Sequence, residues 1–413
     1  MKFQKFFARE ILDSRGNPTL EVDVKVSGKT YRAAVPSGAS TGTHEAQELR
    51  DGGKRYHGKG VLTSVRNVAR LGKTASRKSF RTLSDVDRFL LKADGTPTKK
   101  RLGANTLLGI SLASARALCD EKPLYEYLAA QAGTKPALPF PFANVLNGGK
   151  HAGTPLKVQE FMVAPVGAKT FSEAARMVSE TYQSLKKDAV KRFGPAAGNV
   201  GDEGGIAPPL KNTREALDLV WRAVEENGYE SSMKLALDCA ASEFYEGPVY
   251  FLDGKYLTAH ELTDFYLDLA SAYPIVSIED PFSEEAFGDF AKLSRLFRGK
   301  AQVVGDDLLV TNPQRIRAHP NSVSALLLKV NQIGTLSESI DAAALARSFG
   351  WNVMVSHRSG ETEDPFIADL AVGLGCGQIK LGAPCRGERT AKFNQLLRIE
   401  EDGVKMATFS VPK

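Results

Sequence analysis

Six short apolar runs in the second half of the chain each end in a charged residue or a histidine. Residues 235–237 lead to Asp238, 275–278 to Glu279 and Asp280, and 302–305 to Asp306 and Asp307. Residues 326–328 then lead to Lys329, 353–356 to His357 and Arg358, and 378–379 to Lys380. A (β/α)8 barrel of roughly 250 residues allots about 30 to each strand–helix unit and gathers the C-terminal ends of its strands on one face. The spacing therefore predicts a barrel whose mouth collects these groups. Three carboxylates followed by two lysines and a histidine suit a hard cation beside a proton-transfer base.

At 413 residues the chain exceeds one ordinary core, and two domains are expected. Residues 19–26 alternate, with Leu20, Val22, Val24 and Val26 on one face and Glu21, Asp23 and Lys25 on the other, which predicts a half-buried strand. Turn-forming residues at 13–18 and 27–29 flank it, as in an antiparallel meander. Helical patterns follow at about 60–71, 82–93, 104–120 and 123–131. This reads as an N-terminal α+β capping domain over residues 1–132, with a linker at 133–136. From 137 to 413 strands and helices alternate. The start is irregular, with strand-like runs at 142–146 and 159–164 and helical runs at 170–193 and 212–227. The expected fold class is α/β, an N-terminal α+β domain followed by a (β/α)8 barrel with an irregular ββαα start.

The hydrophobic share of 42% and the charged share of 25% are ordinary for a soluble globular protein. No apolar stretch approaches the roughly 20 residues that span a bilayer, and the N-terminus lacks the features of a secretory signal. A cytoplasmic location is expected. Cys119, Cys239, Cys376 and Cys385 form no CxxC pair, which argues against zinc or a redox dithiol. Part of the net charge of +6 lies at 54–59, 77–81 and 99–101. With no interleaved aromatics or nucleic-acid module, these stretches read as solvated surface, and no nucleic-acid or membrane partner is expected.

Asp238, Glu279 and Asp306 are the metal candidates, since Mg²⁺ takes oxygen ligands and keeps several waters. A single Asp after a strand is more often a turn or a helix cap; three in register with bases beyond them point to a site. Asp280 and Asp307 are alternatives whose side chains should face away, because strand side chains alternate. Lys329 and Lys380 stand at strand ends, where burial beside other cations would lower a lysine pKa and free it to act as a base. The Ser356-His357-Arg358-Ser359-Gly360 stretch offers donors for phosphate or carboxylate. Three small-residue loops complete the set: 37–42, a candidate mobile lid; 147–153, carrying His151; and 201–205, carrying Asp202 and Glu203. Alone, the first and last would be simple turns.

At these residues the chain strongly resembles the enolases, the phosphopyruvate hydratases of glycolysis. The matching segments are 13–19 (DSRGNPT), 37–42 (SGASTG), 103–111 (GANTLLGIS), 144–153 (NVLNGGKHAG), 159–161 (QEF), 201–207 (GDEGGIA), 278–282 (IEDPF), 305–308 (GDDL), 327–334 (LLKVNQIG), 356–364 (SHRSGETED) and 394–401 (NQLLRIEE). They span essentially the whole chain.

The resemblance implies an enolase-type barrel that dehydrates 2-phosphoglycerate reversibly to phosphoenolpyruvate, in glycolysis and gluconeogenesis. It implies two Mg²⁺ per active site, the first held by Asp238, Glu279 and Asp306, the second entering with substrate and held by Ser40. Lys329 would remove the C2 proton. Glu203 would protonate the leaving C3 hydroxyl, with Glu160 and His151 assisting. Ser40, His151, Gln159, Glu160, His357, Arg358, Ser359 and Lys380 would bind substrate. A homodimer or dimer-built oligomer is implied, with Glu21 and Arg398 resembling an intersubunit ion pair. Enolase-superfamily sites, with a lysine or histidine base and one or two Mg²⁺, are themselves a standard instance of pKa tuning. The chain departs from the family's pattern at Lys150, where a small residue usually stands, at Thr154-Pro155, and at Cys385 and Gly387. None of these removes a group from the chemistry. The competing readings are another acid-sugar dehydratase or racemase of the superfamily, and a non-catalytic binding role.

Overall fold

The alternating segment forms the centre of a three-stranded meander. In the computed structural model, which describes residues 1–38 and 42–412, β1 (Lys5–Leu12), β2 (Pro18–Val26) and β3 (Lys29–Ala34) pair antiparallel in that order. Leu20, Val22 and Val24 are fully buried. Asp23, expected on an open face, is buried as well, because Arg9 and Arg32 pair with its carboxylate. Helices Leu62–Ala75, Leu83–Asp94, Ala104–Cys119 and Leu124–Ala132 follow, each close to its expected span. Thr82 and Asp85 cap the second reciprocally, a capping box. Gly133, at φ +64°, closes the fourth in the left-handed conformation that favours glycine.

The second half is a closed barrel with a small side sheet. Its first strands are β4 (Phe140–Asn147), β5 (Glu160–Ala164) and β6 (Lys234–Asp238). Between β5 and β6 lie the helices Phe171–Phe193 and Thr213–Glu226, which gives the ββαα start. A side sheet of β7 (Tyr245–Glu246), β8 (Val249–Leu252) and β9 (Lys255–Leu257) follows. The barrel then continues through β10 (Ile275–Glu279), β11 (Gln302–Gly305), β12 (Ala325–Leu328), β13 (Asn352–Ser356) and β14 (Gly377–Gly382), which pairs with β4. Both pairings of β5 are antiparallel; the other barrel pairings are parallel. This reversal places the first residue of β5, rather than its last, at the mouth, where Glu160 registers with Asp238.

Inside the barrel, Phe142, Met162, Ala236, Val304, Leu327 and Met354 form an apolar plug. At the far end, Gln302 and Gln378 exchange side-chain amide hydrogen bonds of 2.7 and 3.1 Å, so these buried amides satisfy each other. The N-terminal elements dock on the mouth. Ser37 and Gly360 exchange backbone hydrogen bonds of 2.7 and 2.8 Å, and Arg116 pairs with Asp364 at 2.6 Å. Among the described residues, no helix is long and apolar enough to cross a membrane.

Candidate active site

The strand ends converge as the spacing predicts. Asp238 and Glu279 close β6 and β10, Asp306 and Lys329 follow β11 and β12, and Lys380 lies within β14. Lys380 Nζ sits 2.7 Å from Glu279 Oε1, 2.8 Å from Asp238 Oδ2 and 3.2 Å from Glu160 Oε2. Lys329 forms an ion pair with Asp306, whose other oxygen accepts from Gln332 Nε2 at 2.7 Å. Opposite, His151 Nδ1 lies 3.5 Å from Glu160 and 3.7 Å from Glu203, and His357 Nε2 lies 3.3 Å from Glu203 Oε2. Asn144 donates to that same Glu203 oxygen at 2.9 Å. Arg358 grips Glu45 through two hydrogen bonds of 3.0 and 3.1 Å. His151, Gln159, Glu160, Glu203, Lys329, His357, Arg358, Ser359 and Lys380 all line one cavity of about 10 Å³. Far larger clefts lie elsewhere, such as one of about 890 Å³ beside His44 and Arg315, so chemistry rather than size marks this site. Ser40 lies outside the described residues.

Close approach shapes the loops. A Cβ on Gly205 would meet the backbone of β4, 3.0 Å from Leu146 N, so only glycine lets the 201–205 loop lie against that strand.

Burial dominates the electrostatics. It pushes Glu160 and Glu279 well above the carboxylate range, and neighbouring negative charge adds to the shift. It also pushes Asp307 up to about 8, with Asp306 reinforcing it. Glu203 goes the other way: burial raises it, but the His357 and His151 imidazoles and Arg389 outweigh burial and hold it well below the usual range. His151 is lowered and His357 falls to about 4, both chiefly by desolvation, so both imidazoles are neutral at pH 7. The two lysines depart from expectation. Burial works against their charge, but Asp306 outweighs it at Lys329, and Asp238, Glu160 and Glu279 outweigh it at Lys380, so both pKa values rise. Neighbouring cations alone would have lowered both, but carboxylates face each lysine as well.

The donor set suits a hard cation. The mouth is rich in buried carboxylates, and Glu279 Oε2 has no hydrogen-bond partner among the described residues. Among the described residues, two groups place their ligand atoms within 4.8 Å of one another: His151, Glu160 and Glu203; and Asp280, Asp306 and Asp307. Asp238 and Glu279 meet on Lys380 instead. Asp280, expected to face away, accepts the backbone amides of Asp306 and Asp307 at 2.8 Å each, which fixes the turn after β11. Lys150 reaches across to Glu243 at 2.6 Å on the surface. Asn144, Gln332 and Glu45 were given no role by sequence reasoning, although the first two lie inside matched segments.

Comparison with known proteins agrees with this geometry. The family model described as the enolase C-terminal TIM barrel domain matches residues 135–412, and that of the enolase N-terminal domain matches 3–128. A protein of Methanocaldococcus jannaschii named enolase is 55% identical over 401 residues, covering 96% of this chain and 94% of the relative. An enolase of Thermococcus gammatolerans is 55% identical over 405 residues, covering 96% and 94%. One of Pyrococcus furiosus is 54% identical over 412 residues, covering 98% and 95%. On both domains and along nearly its whole length, therefore, this chain belongs to the enolase family, the phosphopyruvate hydratases.

Proposed function

We propose that the chain catalyses the Mg²⁺-dependent, reversible dehydration of 2-phosphoglycerate to phosphoenolpyruvate, in cytoplasmic glycolysis and gluconeogenesis. The observation that carries this is a lysine and a carboxylate pair facing each other across one buried cavity at a barrel mouth, in a chain of this family. A proton beside a carboxylate is very weakly acidic, so its removal needs a base and strong charge stabilisation.

Lys329 is the base that takes the C2 proton. Asp238, Glu279 and Asp306 would hold one Mg²⁺, and Ser40 with the substrate phosphate a second. Such ions would neutralise charge growing on the substrate carboxylate and would relieve the Asp306 charge that keeps Lys329 protonated. Glu203 delivers a proton to the departing C3 oxygen. Glu160, held protonated by burial and by the charge of Glu203, lies within 4.8 Å to supply one, with neutral His151 beside both carboxylates. Arg358, His357, Ser359, Lys380 and Gln159 bind and orient the phosphate and carboxylate, with Arg358 exchanging Glu45 for substrate. We also propose a dimer or dimer-built oligomer, with Glu21 and Arg398 at its contact. Light scattering on Arg398→Glu should then show smaller particles.

Lys329→Ala tests the chemistry. Exchange of the C2 proton with deuterated solvent should fall roughly 10²–10⁴-fold, with the thermal midpoint little changed. Exchange near the wild-type rate would remove Lys329 from this role. Turnover of a sugar acid but not 2-phosphoglycerate would favour the superfamily alternative.

A further inference from the structure

Arg389 is buried, at 1% exposed, and has no part in the reading above. It is the third residue of the helix Gly387–Glu401. Its Nη1 lies 2.7 Å from His357 Nδ1 and 2.6 Å from the Arg358 carbonyl. Its Nη2 donates to the carbonyls of Ser359 at 2.7 Å and Asp202 at 3.1 Å. One guanidinium thus ties the 357–359 loop to the loop carrying Glu203. Gly382 makes room for it, since a Cβ there would come within 2.9 Å of Arg389 Cδ.

The direction of the His357 contact is decided by chemistry. A guanidinium has five N–H donors, no acceptor, and does not deprotonate in proteins. His357 Nδ1 must therefore present its lone pair to Arg389, and the proton of the neutral ring must sit on Nε2. That nitrogen faces Glu203 Oε2 at 3.3 Å. The opposite tautomer would set N–H against N–H at Arg389 and a lone pair against the carboxylate at Glu203.

We propose that Arg389 is a positioning residue for the dehydration: it fixes His357 in the Nε2–H tautomer and, through Asp202, holds the Glu203 loop against that donor. This rests on the roles given above to Glu203 and His357. The low pKa of His357, set by burial and reinforced by Arg389 against the pull of Glu203, is consistent with a neutral ring.

The test is ¹⁵N NMR of histidine-labelled protein, with the His357 signals assigned by their loss in His357→Gln. The wild type should show Nε2–H at pH 7. Arg389→Met should lose this single tautomer and lower kcat on the order of 10²-fold, with KM changing about threefold or less. Arg389→Lys, whose ammonium also only donates, should keep the tautomer and recover most of kcat. An Nδ1–H signal in the wild type, an unchanged tautomer in Arg389→Met despite a fall in kcat, or a lysine variant no better than methionine would each overturn the proposal. If Arg389→Met does not fold, the wild-type signal and the lysine variant decide. The tautomer is read without substrate or metal, so it can fail while the dehydration stands, or stand while the dehydration fails.

Discussion

Glu203 and Glu160 lie within 4.8 Å of each other, yet their surroundings drive them in opposite directions. The His357 and His151 rings, the Asn144 amide and the charge of Arg389 favour an ionised Glu203, whereas Glu160 is one of several carboxylates on Lys380. Glu203→Gln keeps the shape and removes the carboxylate that passes the proton from Glu160 to the C3 oxygen. Loss of the C3 hydroxyl should slow by roughly 10²–10⁴-fold while some C2 exchange persists; equal loss of both would mean that Glu203 only positions substrate. A second residue-level prediction concerns Asp87, which does not line the cavity. It is buried and accepts the Ser337 amide at 2.9 Å, while its other oxygen is unpaired among the described residues. Burial lifts its pKa to about 6 against hydrogen bonds from Ser337 and Ser111. A carboxyl raised on folding holds its proton longer in the fold, so stability falls as pH rises from about 4 to 6, by up to about 3 kcal/mol. Asp87→Asn should raise the thermal midpoint at pH 7 and change it little at pH 4; equal shifts at both would contradict this. At this scale the sequence exposed Lys329, Lys380 and the three carboxylates, because each ends an apolar run. Asn144, Gln332 and Arg389 were not legible as site residues. The first two lie within or just after other runs, and Arg389 reaches the site only through the tertiary packing of its helix.

The element that matters most is β5. Reversing one strand brings Glu160 to the mouth, where a parallel strand would have brought Ala164. The ββαα start was legible because two strand-like runs preceded two long helical ones. Its geometric consequence depended on pairing partners, which no local pattern encodes. The side sheet β7–β9 went unread for a different reason. Strands of two, four and three residues are too short for alternation to declare itself. The 201–205 loop depends on its glycines as strictly as any strand on its apolar residues. Gly205→Ala would push a methyl against β4 backbone atoms, which cannot give as a side-chain tip can. It should cost roughly 1–3 kcal/mol and lower kcat by displacing Glu203. A thermal midpoint and kcat both at wild-type values would show that the loop has slack.

Over the whole molecule, the two halves build one site. The meander and helices carry Ser37 and Glu45 to the barrel mouth, where they meet Gly360 and Arg358, and Arg116 pins the contact through Asp364. The cavity they enclose holds about 10 Å³, less than any phosphorylated three-carbon acid needs. The most direct test of the account is the ultraviolet absorbance of phosphoenolpyruvate as it forms from 2-phosphoglycerate, followed with Mg²⁺ and again with excess chelator. The account predicts a rise that needs Mg²⁺ and is abolished by chelation. Folded, Mg²⁺-supplied protein that produced no rise would contradict it.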